Sequence, residues 1–238
     1  MIQEYSDQVK IFNPDDFGYD IHFVGAGGAC NSAIIQVACM GAIERATIHV
    51  WDPDSLEEHN MATELAYSNN MIGQRKVDAV ADALRYKFGD KIVILYADEL
   101  RNYSGPRPQV VLHPEAVTED TELRGIVVTG VDSMRARQEI WQAVKRQFWR
   151  VPLLIDLRSS GLSTLILTLS PSDIEATASY EETFLYTDEQ SMQLACGARN
   201  VCFISAYFGV EVAHRISLFA RGKTAELEDM YSTPINFI

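Results

Sequence analysis

Apolar positions along this chain follow two rhythms, and the change from one to the other first shows at residues 21–52. Residues 21–24, IHFV, are apolar or aromatic except for His22, the pattern of a short strand buried on both faces. Gly25, Gly27 and Gly28 interrupt that run. Ile34, Ile35, Val37, Ala38 and Met40 then recur at the spacing of a helix with one buried face. Gly41 closes the helix, and residues 46–51 return to strand with Asp52 at the tip. Strand, glycine turn, helix and strand in this order predict a βαβ unit.

The alternation continues downstream. Residues 74–88 set Val77, Val80, Ala81, Leu84 and Phe88 on one helical face, and residues 91–96 follow as a strand. Residues 98–124 carry Pro106, Pro108 and Pro114 and read as irregular apart from a short apolar run at 110–112. Residues 126–129 read as a strand ending at Gly130. Residues 132–146 have helical period through Met134, Ile140, Trp141 and Val144, with Asp132 or Ser133 suited to the N-cap. Residues 152–156 and 162–169 are further strands, the second with the β-branched content of a sheet turning antiparallel. Residues 172–193 show no apolar period and read as a mobile crossing loop, whereas 202–219 form a strongly apolar helix that must be largely buried. The polar and aromatic residues 1–20, with a turn at 13–18, pack outside the sheet or reach a partner.

The predicted fold is therefore α/β: a Rossmann-like, mostly parallel sheet with helices on both faces and an antiparallel C-terminal part. A single domain is expected over residues 1–238, with a nucleotide-binding half at about 20–160 and the crossing loop and last helix at about 161–238.

Charge narrows the partners. Thirty-three acidic against twenty basic residues give a net charge of −13, which disfavours attraction to nucleic acid or anionic lipid. No apolar run approaches the roughly 20 residues of a membrane span, and the first ten residues lack the apolar core of a signal peptide. The expectation is a cytoplasmic protein with neither nucleic acid nor membrane as partner. Cysteines 30, 39, 196 and 202 form no CxxC pair, so no zinc site is predicted and reduced thiols are expected. His59 and His113 lie in polar or proline-rich segments and read as solvated.

The candidate chemistry centres on the glycine turn. Gly25, Gly27 and Gly28 let backbone N–H groups approach a phosphate, and the following helix aims its dipole at the same point. Asp52 at a strand tip suits both hydroxyls of a ribose. The third glycine of the dinucleotide fingerprint falls at Cys30, so on its own the turn is either a nucleotide site or only a tight strand–helix connection. Ligands of open α/β sheets bind beyond the carboxyl ends of the strands, where Gly25, Asp52 and Asp132 are expected to face one crevice.

GAGG at 25–28, WDPD at 51–54, Asn60 in a polar loop, IGQRK at 72–76 and TGVD at 129–132 together resemble the ThiF/MoeB family, the adenylating domains related to ubiquitin-activating E1 enzymes. The likeness spans about residues 20–160, with a weaker echo to the last helix. The family pattern reads roughly GxGGxG, DxDxVexsNlxRQ and iGxxKa, followed by an Asp that opens a helix with an Arg soon after. The resemblance implies that Gly25, Gly27 and Gly28 line the phosphates of ATP, that Asp52 binds the ribose, and that Asp54 joins the acidic rim. It implies that Asn60 approaches the phosphates, that Lys76 neutralises them and that Asp132 holds Mg²⁺, with Arg137 on a structural family arginine.

Where the family has N-l-x-R-Q, this chain has Thr63 and Glu64 in place of the Arg and Gln. Arg75 then substitutes, or a partner subunit of a homodimer supplies the cation, or the site is impaired. The implied activity is ATP-dependent adenylation of a terminal carboxylate, such as that of a small ubiquitin-like or sulfur-carrier protein. Cys196, after the crossing loop, is a candidate thioester nucleophile or a structural residue. The alternatives are a catalytically impaired nucleotide-binding scaffold module and, from the glycine turn with Asp52 alone, an NAD-dependent oxidoreductase.

Overall fold

The computed structural model of the protein describes residues 10–62, 66–160, 163–186, 202–223 and 235–236. Strands β1 (Ile21–Val24), β2 (Ile48–Trp51), β3 (Ile94–Tyr96), β4 (Val110–His113), β5 (Ile126–Thr129), β6 (Leu153–Ser160), β7 (Ser163–Leu169) and β8 (Ile235–Asn236) form one sheet. Its order is β3-β4-β2-β1-β5-β6-β7-β8. Pairs from β3 through β6 are parallel, while β6–β7 and β7–β8 are antiparallel. The chain leaves β1 towards β2 on one side and enters β5 on the other, so the crevice at the carboxyl ends of β1 and β5 is a topological switch point.

Alternate strand residues feed opposite faces. Ile21, Phe23, Ile48, Val50, Ile126 and Val128 pack against α1 (Gly28–Cys39), α2 (Lys76–Phe88) and α5 (Cys202–Ala220), meeting Ile34, Val80, Leu84, Phe208 and Val212. On the other face Val24, Trp51, Val127 and Leu154 pack with Ile140, Trp141 and Val144 of α3 (Met134–Arg146) and Tyr180 of α4 (Ile174–Phe184). Each such side chain, fully buried, contributes about 1.5–3 kcal/mol. Phe12 and Phe17, with ring centroids 5.2 Å apart, fold the start of the described chain onto the first face.

Two local readings change and one choice is decided. Helix α4 occupies part of the stretch read as a crossing loop: Asp173 caps it by accepting the Ala176 N–H at 3.0 Å. Only Tyr180 of this helix is buried, and Ile174 is 84% exposed, so no apolar period marks it in the sequence. Ser133, whose side chain accepts the Ala136 N–H at 3.1 Å, is the N-cap of α3, which leaves Asp132 exposed one residue earlier. His113 is not solvated; it ends β4 as a buried residue.

Candidate nucleotide site

The turn after β1 is built from backbone contacts. Gly25 has φ of 97°, and its N–H donates to the Trp51 carbonyl at 2.8 Å. A Cβ here would lie 3.3 Å from the Gly130 carbonyl carbon and oxygen, and one on Gly130 would lie 2.7 Å from Cys30 Sγ. The turns after β1 and β5 thus touch with no side chain between them. Gly27, extended, is the N-cap of α1, whose first N–H groups have no partner within the helix. Cys30, in the place of the third fingerprint glycine, is fully buried; burial first and the Asp52 charge second push its thiol up to about 12. A thiol held that far up is a packing group.

Asp52 clamps this turn from β2. Its Oδ2 accepts the Ala26 N–H at 2.7 Å, its Oδ1 accepts the Asp54 N–H at 2.8 Å, and Lys76 Nζ lies 3.9 Å from Oδ1. Burial raises the Asp52 carboxyl above the usual carboxylate range, against the pull of Lys76 and the two N–H groups. The long polar segment after Asp52 folds back to deliver Lys76. Leu56 N–H donates to Gln74 O at 2.8 Å, Gly73 N–H to Leu56 O at 2.8 Å, and Lys76 N–H to Asp54 O at 2.9 Å. Lys76 Nζ then pairs with Asp54 Oδ2 at 2.9 Å. The structure so brings together Gly25, Gly27, Gly28, Asp52, Asp54 and Lys76, with Asp132 two residues beyond the Gly130 contact.

Arg75 is turned towards another partner, and Asn60 has a local bond. Arg75 donates to Asp78 Oδ2 at 2.9 Å and to the Tyr96 hydroxyl at 2.7 Å, with its guanidinium 4.9 Å from the Tyr96 ring centre. Asn60, in the 3₁₀ turn Glu58–Ala62, accepts the N–H of Glu57, the residue just before that turn, at 2.9 Å. Thr63, Glu64 and Cys196 lie outside the described residues.

Two polar clusters beside the site went unread in the sequence. Trp51, the residue before Asp52, stacks on His113 with ring centres 3.5 Å apart and donates its indole N–H to His22 Nδ1 at 3.1 Å. His49 Nδ1 lies 3.0 Å from His113 Nε2, and His22 stacks on His49 at 4.3 Å. Burial lowers all three: His22 well below its ordinary value, His49 to about 4 and His113 to about 3. Neutral rings can share one proton per contact, and charged ones would repel.

Asp156, 0% exposed on β6, anchors the second cluster. It pairs with Arg137, accepts two bonds from Arg158 at 2.8 and 2.6 Å, and accepts the Tyr180 hydroxyl at 3.0 Å. Arg137 also donates to the carbonyls of Val131 and Leu157, fixing the loop that carries Asp132. Arg158 reaches the Phe184 carbonyl at the end of α4 at 2.7 Å. An Asp and an Arg two apart, set among Leu154, Ile155 and Leu157, were the available signal.

This arrangement can seat an anion on the glycine turn and set a lysine beside it, with Asp132 exposed on the neighbouring turn after β5. Among the described residues no three or more His, Cys, Asp or Glu gather as a metal cage. Magnesium bound through a nucleotide needs only one or two carboxylates, because phosphates and water complete its octahedron. The single exposed Asp132 fits that requirement. No described helix is long and apolar enough to cross a membrane.

A model of the ThiF family matches residues 17–207. No curated protein matches the chain by sequence. Among solved structures, E. coli tRNA N6-threonylcarbamoyladenosine dehydratase, TcdA, is similar with a TM-score of 0.60 at 14% identity, over 94% of this chain and 96% of that one. TcdA has also been solved in complex with AMP and with ATP. E. coli MccB with ATP gives a TM-score of 0.58 at 14% identity, over 94% of this chain. PaaA gives 0.56 at 14% identity, over 95%. The chain spans 60% of the length of MccB and of PaaA.

Proposed function

This chain belongs to the ThiF family, and from that premise we propose that it is an E1-like enzyme using ATP to adenylate a terminal carboxylate. The substrate we infer is the C-terminus of a small protein or peptide, of the ubiquitin-like or sulfur-carrier kind. The observation that carries this reading is the glycine turn clamped by Asp52, with Lys76 alongside and Asp132 across the switch point.

In the proposed reaction an oxygen of the substrate carboxylate bonds to the α-phosphorus of ATP as the bond to the β-phosphate oxygen breaks, and pyrophosphate leaves. No proton need move, so the demand is positioning and charge stabilisation. The N–H groups from Gly25 to Gly28 would bind phosphate oxygens, and Asp52 would accept the ribose hydroxyls with lone pairs left free by its two amide bonds. Lys76 would exchange Asp54 for the phosphates. Mg²⁺, brought in with the triphosphate and held by Asp132, would neutralise charge on the leaving pyrophosphate. Asn60 would offer its side-chain N–H groups to the phosphates while its Oδ1 keeps the Glu57 N–H. A second copy of the chain, in a homodimer, would supply the arginine that Thr63 replaces; Arg75 would have to leave Asp78 and Tyr96 to do so.

A second reading has its own support. Lys76 already sits between two carboxylates, which favours a module that binds nucleotide without turning it over. ATP–pyrophosphate exchange in the presence of candidate carrier proteins separates the two. Exchange supports the enzyme; ATP binding with no exchange for any carboxylate supports the module. Family membership displaces the NAD-dependent oxidoreductase.

A further inference from the structure

We propose that Tyr67 is a positioning residue for the nucleotide phosphates, acting through the peptide between Ala26 and Gly27; the inference rests on the ATP-binding reading above. The Tyr67 hydroxyl donates to the Ala26 carbonyl at 2.6 Å. The N–H of Ala26 is held by Asp52 Oδ2 at 2.7 Å. The residue is thus tied at both its polar groups, by side chains from two different parts of the chain.

The geometry of a trans peptide turns that tie into orientation. The carbonyl of one residue and the N–H of the next point in opposite directions across a nearly rigid plane. With the Ala26 carbonyl drawn to Tyr67, the Gly27 N–H must face away from the phenol. Gly27 has no side chain to resist rotation of that plane about its φ, and without the phenol the carbonyl is free to swing into the place an anion would take. A carbonyl there repels phosphate; an N–H binds it.

Tyr67 is also placed to hold the site's two walls at a set distance. Its hydroxyl lies 3.4 Å from the carbonyl of Lys76, the first residue of α2. The ring packs half-buried against the core under α1 and α2. One phenol therefore spans the glycine turn and the start of the helix that carries the phosphate-neutralising lysine.

The test is Tyr67→Phe, which keeps the ring and its packing and removes only the hydroxyl. Affinities for ATP and for adenosine are measured by calorimetry on the whole protein, alongside thermal melting. The expected result is ATP binding weakened about five- to tenfold, the scale of one hydrogen bond, with adenosine affinity and melting temperature unchanged. Equal weakening of ATP and adenosine would assign Tyr67 a general structural role and overturn the inference, as would unchanged ATP affinity. Wild-type protein that binds no ATP would instead overturn the ATP reading, and the inference with it.

Discussion

Asp52 and Asp156 stand at the carboxyl edge of the same sheet, on either side of the switch point, yet they are satisfied in different ways. Asp52, 5% exposed, accepts two backbone N–H groups and has one lysine at its rim. Asp156, 0% exposed, is closed off by two guanidiniums and a phenol. A carboxylate bound by amides keeps lone pairs and an open side for a ligand. One enclosed by side chains has neither, and its partners spend their own donors on the carbonyls of Val131, Leu157 and Phe184. The first is left able to accept a ligand; the second holds the loops around it.

Acid should have the largest effect, and it should act on the Asp52 side. In the unfolded chain His22, His49 and His113 protonate near 6.5. In the fold His49 and His113 stay neutral down to about 4 and about 3, and His22 likewise resists. The unfolded state takes up protons first, so stability is complete above pH 6.5 and is lost as the pH falls towards 4. Each histidine contributes about 1 kcal/mol per pH unit within that window. Urea unfolding at pH 7, 6 and 5 should show the decline, and His113→Gln should reduce its slope by about a third. Equal stability at all three pH values would remove the histidine cluster from the strand that carries Asp52.

Asp156→Ala should cost about 3–5 kcal/mol of stability by leaving two guanidiniums buried without their carboxylate. Denaturant titration measures it, and a wild-type midpoint would break the contrast with Asp52. Asp132→Ala should lower pyrophosphate exchange about 100- to 1000-fold at an unchanged melting temperature, since Asp132 is exposed and does not cap α3. A parallel fall in melting temperature would make it a structural residue. Asp52→Ala should weaken ATP by roughly 1.5–3 kcal/mol, read by calorimetry, with a smaller loss of stability than Asp156→Ala. If stability fell as far, the two carboxylates would be doing the same job.

The glycine turn, α1 and β2 were legible because local spacing dictates them: three glycines, one apolar helical face, one acid at a strand tip. The fold class followed from the alternation of the two periods. Helix α4 escaped because it buries only Tyr180 and so writes no stripe. The histidine cluster escaped because its members are neighbours only across strands: pairing β2 with β4 sets Trp51 opposite His113 and lets His49 reach His113 diagonally, and each alone reads as a polar interruption. Asp156 and Arg158 sit two apart, but Arg137, the partner that links them to the Asp132 loop, arrives from α3. Long-range partners of that kind leave no periodic trace. Arg75 illustrates the reverse: its neighbour Lys76 faces the turn, while Arg75 itself faces Tyr96, because consecutive residues entering a helix diverge.

The contact between Cys30 and Gly130 makes the space beside the nucleotide turn a joint possession of two distant residues. The fingerprint asks for a glycine on the helix so that a strand can come close; here the helix bears a thiol, and the missing side chain is on the opposite turn. What is limited is the combined size of the pair, not the identity of either member. A larger group at one position has room only if the other gives up as much, so the two must change together or not at all.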